Sequence, residues 1–240
     1  MEQKAEFSPE AIERIRGWSI VDDSREIEWR RENCIKPKVE FGGYEARFLT
    51  EILDWNKEPR QERVFRHILS MLKGEGAIIA LVGHRGTGKT TITAQIAFRL
   101  AWWWDEYHSS MDRPENRKRP QILGLAEYRK LVSLTEILKP LYSDHGTTAT
   151  ERLTLERERL CACGLLVIDE KHDMNALAVA NRVLTDIIDR RYAKKKDTII
   201  ISNESAEEFN AQTNHSILSR ITEHGETVEC KWQSMRTRKP

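Results

Sequence analysis

The sequence lacks a long hydrophobic run. Among its 240 residues the longest uninterrupted apolar stretch covers residues 77–82, whereas a membrane-spanning helix needs about 20 apolar residues. The first ten residues, MEQKAEFSPE, also lack the apolar region of a secretory signal. We therefore expect no transmembrane helix, no membrane partner and a cytoplasmic protein.

The sequence also has no closely spaced CxxC cysteine pair and almost no net charge. The four cysteines, at positions 34, 161, 163 and 230, form no CxxC pair and no disulfide-like framework, so we expect reduced thiols. The formal net charge is only +1, which means that any contact with nucleic acid must come from local clusters of charge. This composition excludes secreted, collagen-like and fully disordered proteins.

From residue 44 onward, short apolar runs alternate with helical patterns. Strands are predicted at residues 77–82, 121–125, 164–169, 198–202 and 226–230, and helices at 89–107, 126–142, 176–192 and 205–210. Short buried runs separated by helices predict an α/β fold with a parallel sheet covered on both faces.

Residues 1–43 differ from the rest of the chain. They are polar and carry only weak helical signals, and Lys36-Pro37-Lys38 has the composition of a linker. We expect residues 1–43 to form an N-terminal region that is flexible or binds a partner, followed by one domain at residues 44–240.

Residues 83–90 read GHRGTGKT and match the phosphate-loop pattern GxxxxGK[ST]. They follow a predicted strand and open a predicted helix, so that backbone amides and a helix N-terminus face the phosphates. Lys89 would reach the β- and γ-phosphates, and the Thr90 hydroxyl would bind magnesium. The predicted nucleotide-binding residues are Gly83, His84, Arg85, Gly86, Thr87, Gly88, Lys89, Thr90 and Thr91.

Polar residues follow two further predicted strands. The run LLVI ends in Asp169 and Glu170, where Asp169 would hold magnesium and Glu170 would orient or deprotonate the attacking water. The run TIIIS is followed by Asn203, which would hydrogen-bond the γ-phosphate or that water. Asparagine is also common in turns, so Asn203 could instead have only a structural role. Arg220 lies between apolar neighbours and is either a surface ion-pair residue or a group that stabilises transition-state charge.

This ordered set of motifs resembles the AAA+ ATPases. Within them it resembles the clade of DnaC-type replicative helicase loaders and IstB-type transposition helpers, which residues 187–192 (IIDRRY) leading into TIIISN and the late WQSMR segment support. The resemblance implies a five-stranded parallel sheet between helices, and we expect this chain to depart from the family in having no C-terminal helical lid. The resemblance also implies ATP and Mg²⁺ as cofactors and assembly into an oligomer or spiral.

The resemblance assigns a role to each motif. Residues 83–90 would be Walker A, Asp169 and Glu170 Walker B, Asn203 sensor 1, and Arg220 the finger that acts on the ATP of the neighbouring subunit. The family often carries Asp-Asp where this chain has Asp169-Glu170, and glutamate favours hydrolysis. An extra helical element after the second strand faces DNA in this clade, so Arg129 and Lys130 are the predicted DNA contacts.

The function expected from these features is an ATP-hydrolysing replicative helicase loader that binds single-stranded or deformed duplex DNA and a replicative helicase. A transposition helper that delivers target DNA to a transposase is the nearest alternative. A small-molecule P-loop kinase and an adaptor that binds ATP without hydrolysing it are two further alternatives.

Overall fold

Five strands and eight helices form the part of the chain that the structure, a computed structural model, describes: residues 31–45, 48, 59–110, 126–138, 141, 150–169 and 178–234. The helices are α1 (Lys36–Phe41), which follows a π-helical turn at Arg31–Ile35, α2 (Pro59–Met71), α3 (Lys89–Ser110), α4 (Leu131–Leu138), α5 (Thr150–Ala162), α6 (Ala178–Ala193), α7 (Ala206–Gln212) and α8 (His215–His224). The strands are β1 (Ile78–Val82), β2 (Ala126–Lys130), β3 (Leu165–Asp169), β4 (Asp197–Ile201) and β5 (Gly225–Glu229). No helix within these residues has the length and apolar character that crossing a membrane requires.

The strands form one parallel sheet in the order β2-β3-β4-β1-β5. Ile78 of β1 lies opposite Thr198 of β4 and Gly225 of β5, and β4 continues the ladder to β3. Because every strand is parallel, the carboxyl ends of β1, β4 and β3 lie side by side at one edge. The predicted five-stranded parallel α/β fold is confirmed.

The central strands are buried on both faces, as their apolar runs predicted. In β1, Ile79 and Leu81 enter the core on one face, whereas Ile78, Ala80 and Val82 enter the core on the other. Side chains alternate along a strand with period two, so a continuous apolar run supplies both cores. Helices α2 and α3 cover the first face, and α4, α6 and α8 cover the second.

The described residues before Tyr44 pack against the same core. Ile35 and Val39 are fully buried and join the cluster that contains β1 and α3. The predicted linker at residues 36–38 is wrong, because these residues form the first turn of α1, where proline fits without losing a hydrogen bond. Residues 1–30 lie outside the described residues, and the domain boundary at 43/44 stays a prediction.

The second strand differs from the prediction. Residues 126–142 were expected to be a helix, but the chain forms β2 (Ala126–Lys130) first and then α4, while residues 121–125 lie outside the described residues. Tertiary pairing explains the difference, since β2 is hydrogen-bonded to β3 along one side and its Tyr128 N–H donates to Gly42 O (2.8 Å) on the other. Helix α5 was not predicted.

A buried carboxylate fixes the turn that leads into β1. Asp197, at the start of β4, is fully buried, and its two oxygens accept hydrogen bonds from the backbone N–H groups of Gly74 (2.8 Å), Gly76 (2.9 Å) and Ala77 (2.8 Å). The turn therefore depends on one side chain from a distant part of the sequence to accept hydrogen bonds from three of its backbone N–H groups.

Replacing Asp197 with alanine should lower the free energy of unfolding by about 3 kcal/mol or more, because it leaves buried N–H groups without an acceptor. Asp197→Asn should cost less, since its one carbonyl oxygen still accepts from Gly76 and Ala77. Urea denaturation of the three proteins measures the difference. An alanine variant as stable as the wild type would contradict this account of the turn.

Candidate nucleotide and magnesium site

The loop at residues 83–88 joins β1 to the first turn of α3 in the geometry of a phosphate cradle. Gly83, Gly86 and Gly88 have φ angles of 131°, 85° and 85°, a region that only glycine adopts at low cost. A Cβ on Gly83 would also lie 2.7 Å from Cys230 O. Successive amides in a glycine-rich turn of this kind can form a concavity that binds an anion.

Lys89 lies inside its own loop. Only 4% of the residue is exposed, and its Nζ donates hydrogen bonds to Gly83 O (2.5 Å), His84 O (2.9 Å) and Thr87 Oγ1 (3.4 Å). A buried ammonium needs such acceptors to offset its lost hydration. The same position places the positive charge where the phosphates of a nucleotide would enter, and phosphate oxygens would be stronger acceptors than carbonyls.

Thr90 and Asp169 meet across the sheet edge. Thr90 Oγ1 donates to Asp169 Oδ2 at 2.8 Å, although the two residues are 79 positions apart. Hydroxyl and carboxylate oxygens are the ligands that Mg²⁺ prefers, and this ion usually combines one or two carboxylates with phosphates and water. The donor set therefore fits Mg²⁺ bound together with a nucleotide, and metal binding by these two residues stays a prediction.

Tyr128, on β2, also contacts the carboxylate of Asp169. Its hydroxyl donates to Asp169 Oδ2 (2.8 Å), and its ring packs against that of Tyr44, with 4.6 Å between the ring centroids. Tyr44 is buried, and burial raises the pKa of its hydroxyl. Sequence reasoning missed Tyr128, because it placed residues 126–142 in a helix, whereas Tyr128 lies in a strand next to β3.

The remaining predicted catalytic residues lie in different surroundings. Asn203 follows β4, between the ends of β1 and β3, and is partly buried. Glu170 lies outside the described residues. Arg220, on α8, forms an ion pair with Asp189 of α6 (2.9 Å from Nη1 to Oδ1) and lies over the ring of Tyr192 at 5.3 Å. The roles of all three stay predictions.

The predicted DNA contacts lie on a strand rather than on a helix. Arg129 and Lys130 belong to β2, which corrects their predicted placement in a helix that faces DNA. Arg129 donates to Gly42 O (2.8 Å) and Glu127 Oε2 (3.0 Å), and burial raises the pKa of that glutamate. Lys130 lies 3.7 Å from Glu45. Arg129 therefore ties β2 to its surroundings, and a DNA contact by either residue stays a prediction.

The exposed loop residues and the thiol behind the loop complete the site. His84 and Arg85 are exposed, whereas Thr87 and Thr91 are buried, so only part of the predicted loop faces solvent. Cys230 packs behind Gly83, and burial raises the pKa of its thiol to about 12. Its side chain is therefore neutral near pH 7 and adds no negative charge next to the phosphate site.

Comparison with known proteins identifies the fold. No protein-family model and no curated protein matches the chain. Among solved structures the chain is similar to DnaI, with a TM-score of 0.52, 17% identity and coverage of 85% of this chain and 98% of that one. It is also similar to AMPPCP-bound DnaA from Aquifex aeolicus, with a TM-score of 0.50, 15% identity and coverage of 78% of this chain. A DnaA bound to AMPPCP and single-stranded DNA is similar as well, with a TM-score of 0.50, 16% identity and coverage of 71% of this chain.

These similarities show the fold of the chain. The chain has an AAA+ P-loop fold. The similarity extends over 98% of the DnaI chain, whereas this chain covers only 50% and 45% of the two DnaA chains.

Tyr128→Phe should raise the Mg²⁺ concentration required for half-maximal Mg²⁺-dependent ATP binding by about tenfold, because outer-shell donors orient metal-ligating carboxylates. ATP binding in EDTA should stay unchanged. Titration of Mg²⁺ against a fluorescent ATP analogue measures both quantities. Tyr44→Phe is the matched control, since it removes a hydroxyl from the same ring pair that makes no hydrogen bond to Asp169. Equal Mg²⁺ midpoints in Tyr128→Phe and wild type would refute the role.

Proposed function

We propose that this chain is an ATP-hydrolysing AAA+ protein that acts on DNA as a helicase loader. The observation that carries the proposal is the 2.8 Å contact between Thr90 and Asp169 beside a complete phosphate loop. This arrangement suits a nucleotide with a bound Mg²⁺, since it combines a phosphate cradle with two hard oxygen ligands. Similarity to DnaI over 98% of that protein supports the type of AAA+ protein.

In the proposed site each residue has one task. Loop amides and Lys89 bind the phosphates, and Thr90 and Asp169 hold Mg²⁺, which when bound neutralises charge on the phosphate oxygens. Glu170 orients the attacking water and accepts its proton, and Asn203 hydrogen-bonds the γ-phosphate or that water. Phosphoryl transfer needs positioning and charge stabilisation more than covalent catalysis, so these polar groups suffice.

Arg220 supplies positive charge to the site of a neighbouring copy in this proposal. The ion pair with Asp189 and the ring of Tyr192 hold its guanidinium at the surface of α6 and α8 with 21% of the side chain exposed. A guanidinium fixed in this way loses little further freedom when it meets a γ-phosphate. Hydrolysis would therefore require self-association.

DNA is the proposed macromolecular ligand. One of the similar structures is a DnaA bound to single-stranded DNA, and this chain carries local basic clusters despite its net charge of +1. Contacts of lysine and arginine with phosphates make such binding weaken as salt rises. A replicative helicase, rather than a transposase or a small metabolite, is the proposed partner on which the protein acts.

ATP turnover measured with and without single-stranded DNA tests the proposal. We expect DNA to stimulate turnover in the wild type, and Lys89→Ala to weaken ATP binding by about 100-fold, because a charge-assisted contact worth about 3 kcal/mol is lost. Lys73→Ala, at an exposed lysine after α2, is the matched control and should behave as wild type. A robust turnover that is indifferent to DNA would instead favour a small-molecule kinase.

Mixing two inactive variants tests the role of Arg220. Arg220→Ala should bind ATP but lose about 1,000-fold in turnover, and Glu170→Gln should bind ATP without hydrolysing it. In an equimolar mixture, about a quarter of the sites combine an intact Glu170 with a neighbour's Arg220, so turnover should recover to that level. A mixture as inactive as its components, or an Arg220→Ala variant that hydrolyses normally alone, would rule out action between subunits.

A further inference from the structure

The Thr87 carbonyl in the phosphate loop accepts two side-chain hydrogen bonds from distant parts of the chain. Trp232 Nε1, in the segment after β5, donates at 2.9 Å, and Gln61 Nε2, in the first turn of α2, donates at 3.3 Å. A carbonyl oxygen has two lone pairs. Both are therefore engaged from outside the loop, by residues 145 and 26 positions away in sequence.

Burial makes these contacts specific. Gln61 and Thr87 are fully buried, and Trp232 is partly buried against the core that contains β1 and α3. A buried amide or carbonyl without a partner costs more than the bond itself contributes. The two donors thus strongly favour a single orientation of the Thr87 carbonyl.

The orientation of that carbonyl determines where the next amide points. The described residues contain no cis peptide bond, so the Thr87–Gly88 peptide is trans and planar, and its N–H points opposite to its C=O. Holding the Thr87 oxygen outward, toward Trp232 and Gln61, turns the Gly88 N–H to the other side of the peptide. Lys89 Nζ contacts the carbonyls of Gly83 and His84 inside the loop, where the phosphates would bind.

We propose that Gln61 and Trp232 are positioning residues that fix the Gly88 N–H toward the phosphates of the bound nucleotide. This inference rests on the proposed function and deepens it, since it assigns part of the phosphate affinity to residues outside the loop. The loop needs such support because Gly86 and Gly88, both with φ of 85°, are free to adopt other conformations. A donor that is oriented before binding lowers the entropic cost of binding.

Nucleotide affinity and steady-state kinetics of the full-length chain test the proposal. Trp232→Phe keeps an aromatic ring and removes the donor, and Gln61→Leu removes the other donor from a different element. Each should weaken ADP and ATP binding by about tenfold, the effect expected of a single hydrogen bond. The KM for ATP should rise by a similar factor while kcat stays unchanged, because the loop amides bind substrate and transition state alike.

Trp102→Phe is the control, because Trp102 lies 13 residues beyond Lys89 on α3, or about 20 Å along the helix. It should bind ADP and ATP as the wild type does. Thermal unfolding without nucleotide identifies a variant that fails to fold, in which case the other donor variant provides the answer.

The outcomes separate this inference from the function on which it rests. If the wild type binds ATP and both donor variants bind it equally well, the positioning role is overturned and the proposed function stands. A fall in kcat with KM unchanged would also overturn the positioning role. If the wild type binds neither ADP nor ATP, both proposals fail together.

Discussion

The contact between Thr90 and Asp169 depends on the order of the strands. Neighbouring strands lie about 4.8 Å apart, and β4 separates β1 from β3, so the ends of β1 and β3 lie roughly 10 Å apart. The first turn of α3 and the last residue of β3 bridge this gap, and their side chains meet at 2.8 Å. Any change in the parallel register would separate the hydroxyl from the carboxylate. The order of the strands therefore brings the Thr90 hydroxyl and the Asp169 carboxylate together beside the phosphate loop.

The loop itself is supported by residues that belong to other parts of the sequence. Gly83 N–H donates to Glu204 O at 2.8 Å, and Gln61 and Trp232 hold the Thr87 carbonyl. Asp169 is supported in the same manner by Tyr128, from the edge strand. Affinity for a nucleotide would therefore be distributed over α2, β2 and the segment after β5, in addition to the loop.

The sequence predicted the parts of the site whose chemistry is local. The glycines and Lys89 form a contiguous motif, and Asp169 ends an apolar run, so the pattern alone located both. It failed for β2, because AEYRK is short and polar and becomes a strand only through its pairing with β3 and its contact with Gly42. Tyr128, Gln61 and Trp232 were missed for a related reason, since their partners are 26 to 145 positions away.

A crystal structure of the protein with AMPPCP and Mg²⁺ tests the central claim most directly. The account predicts the phosphates inside the loop of residues 83–90, the metal ion bound by Thr90 and Asp169, and Lys89 Nζ turned from the carbonyls of Gly83 and His84 to the phosphate oxygens. A structure in which Lys89 keeps its carbonyl partners and the nucleotide binds elsewhere, or not at all, would contradict it.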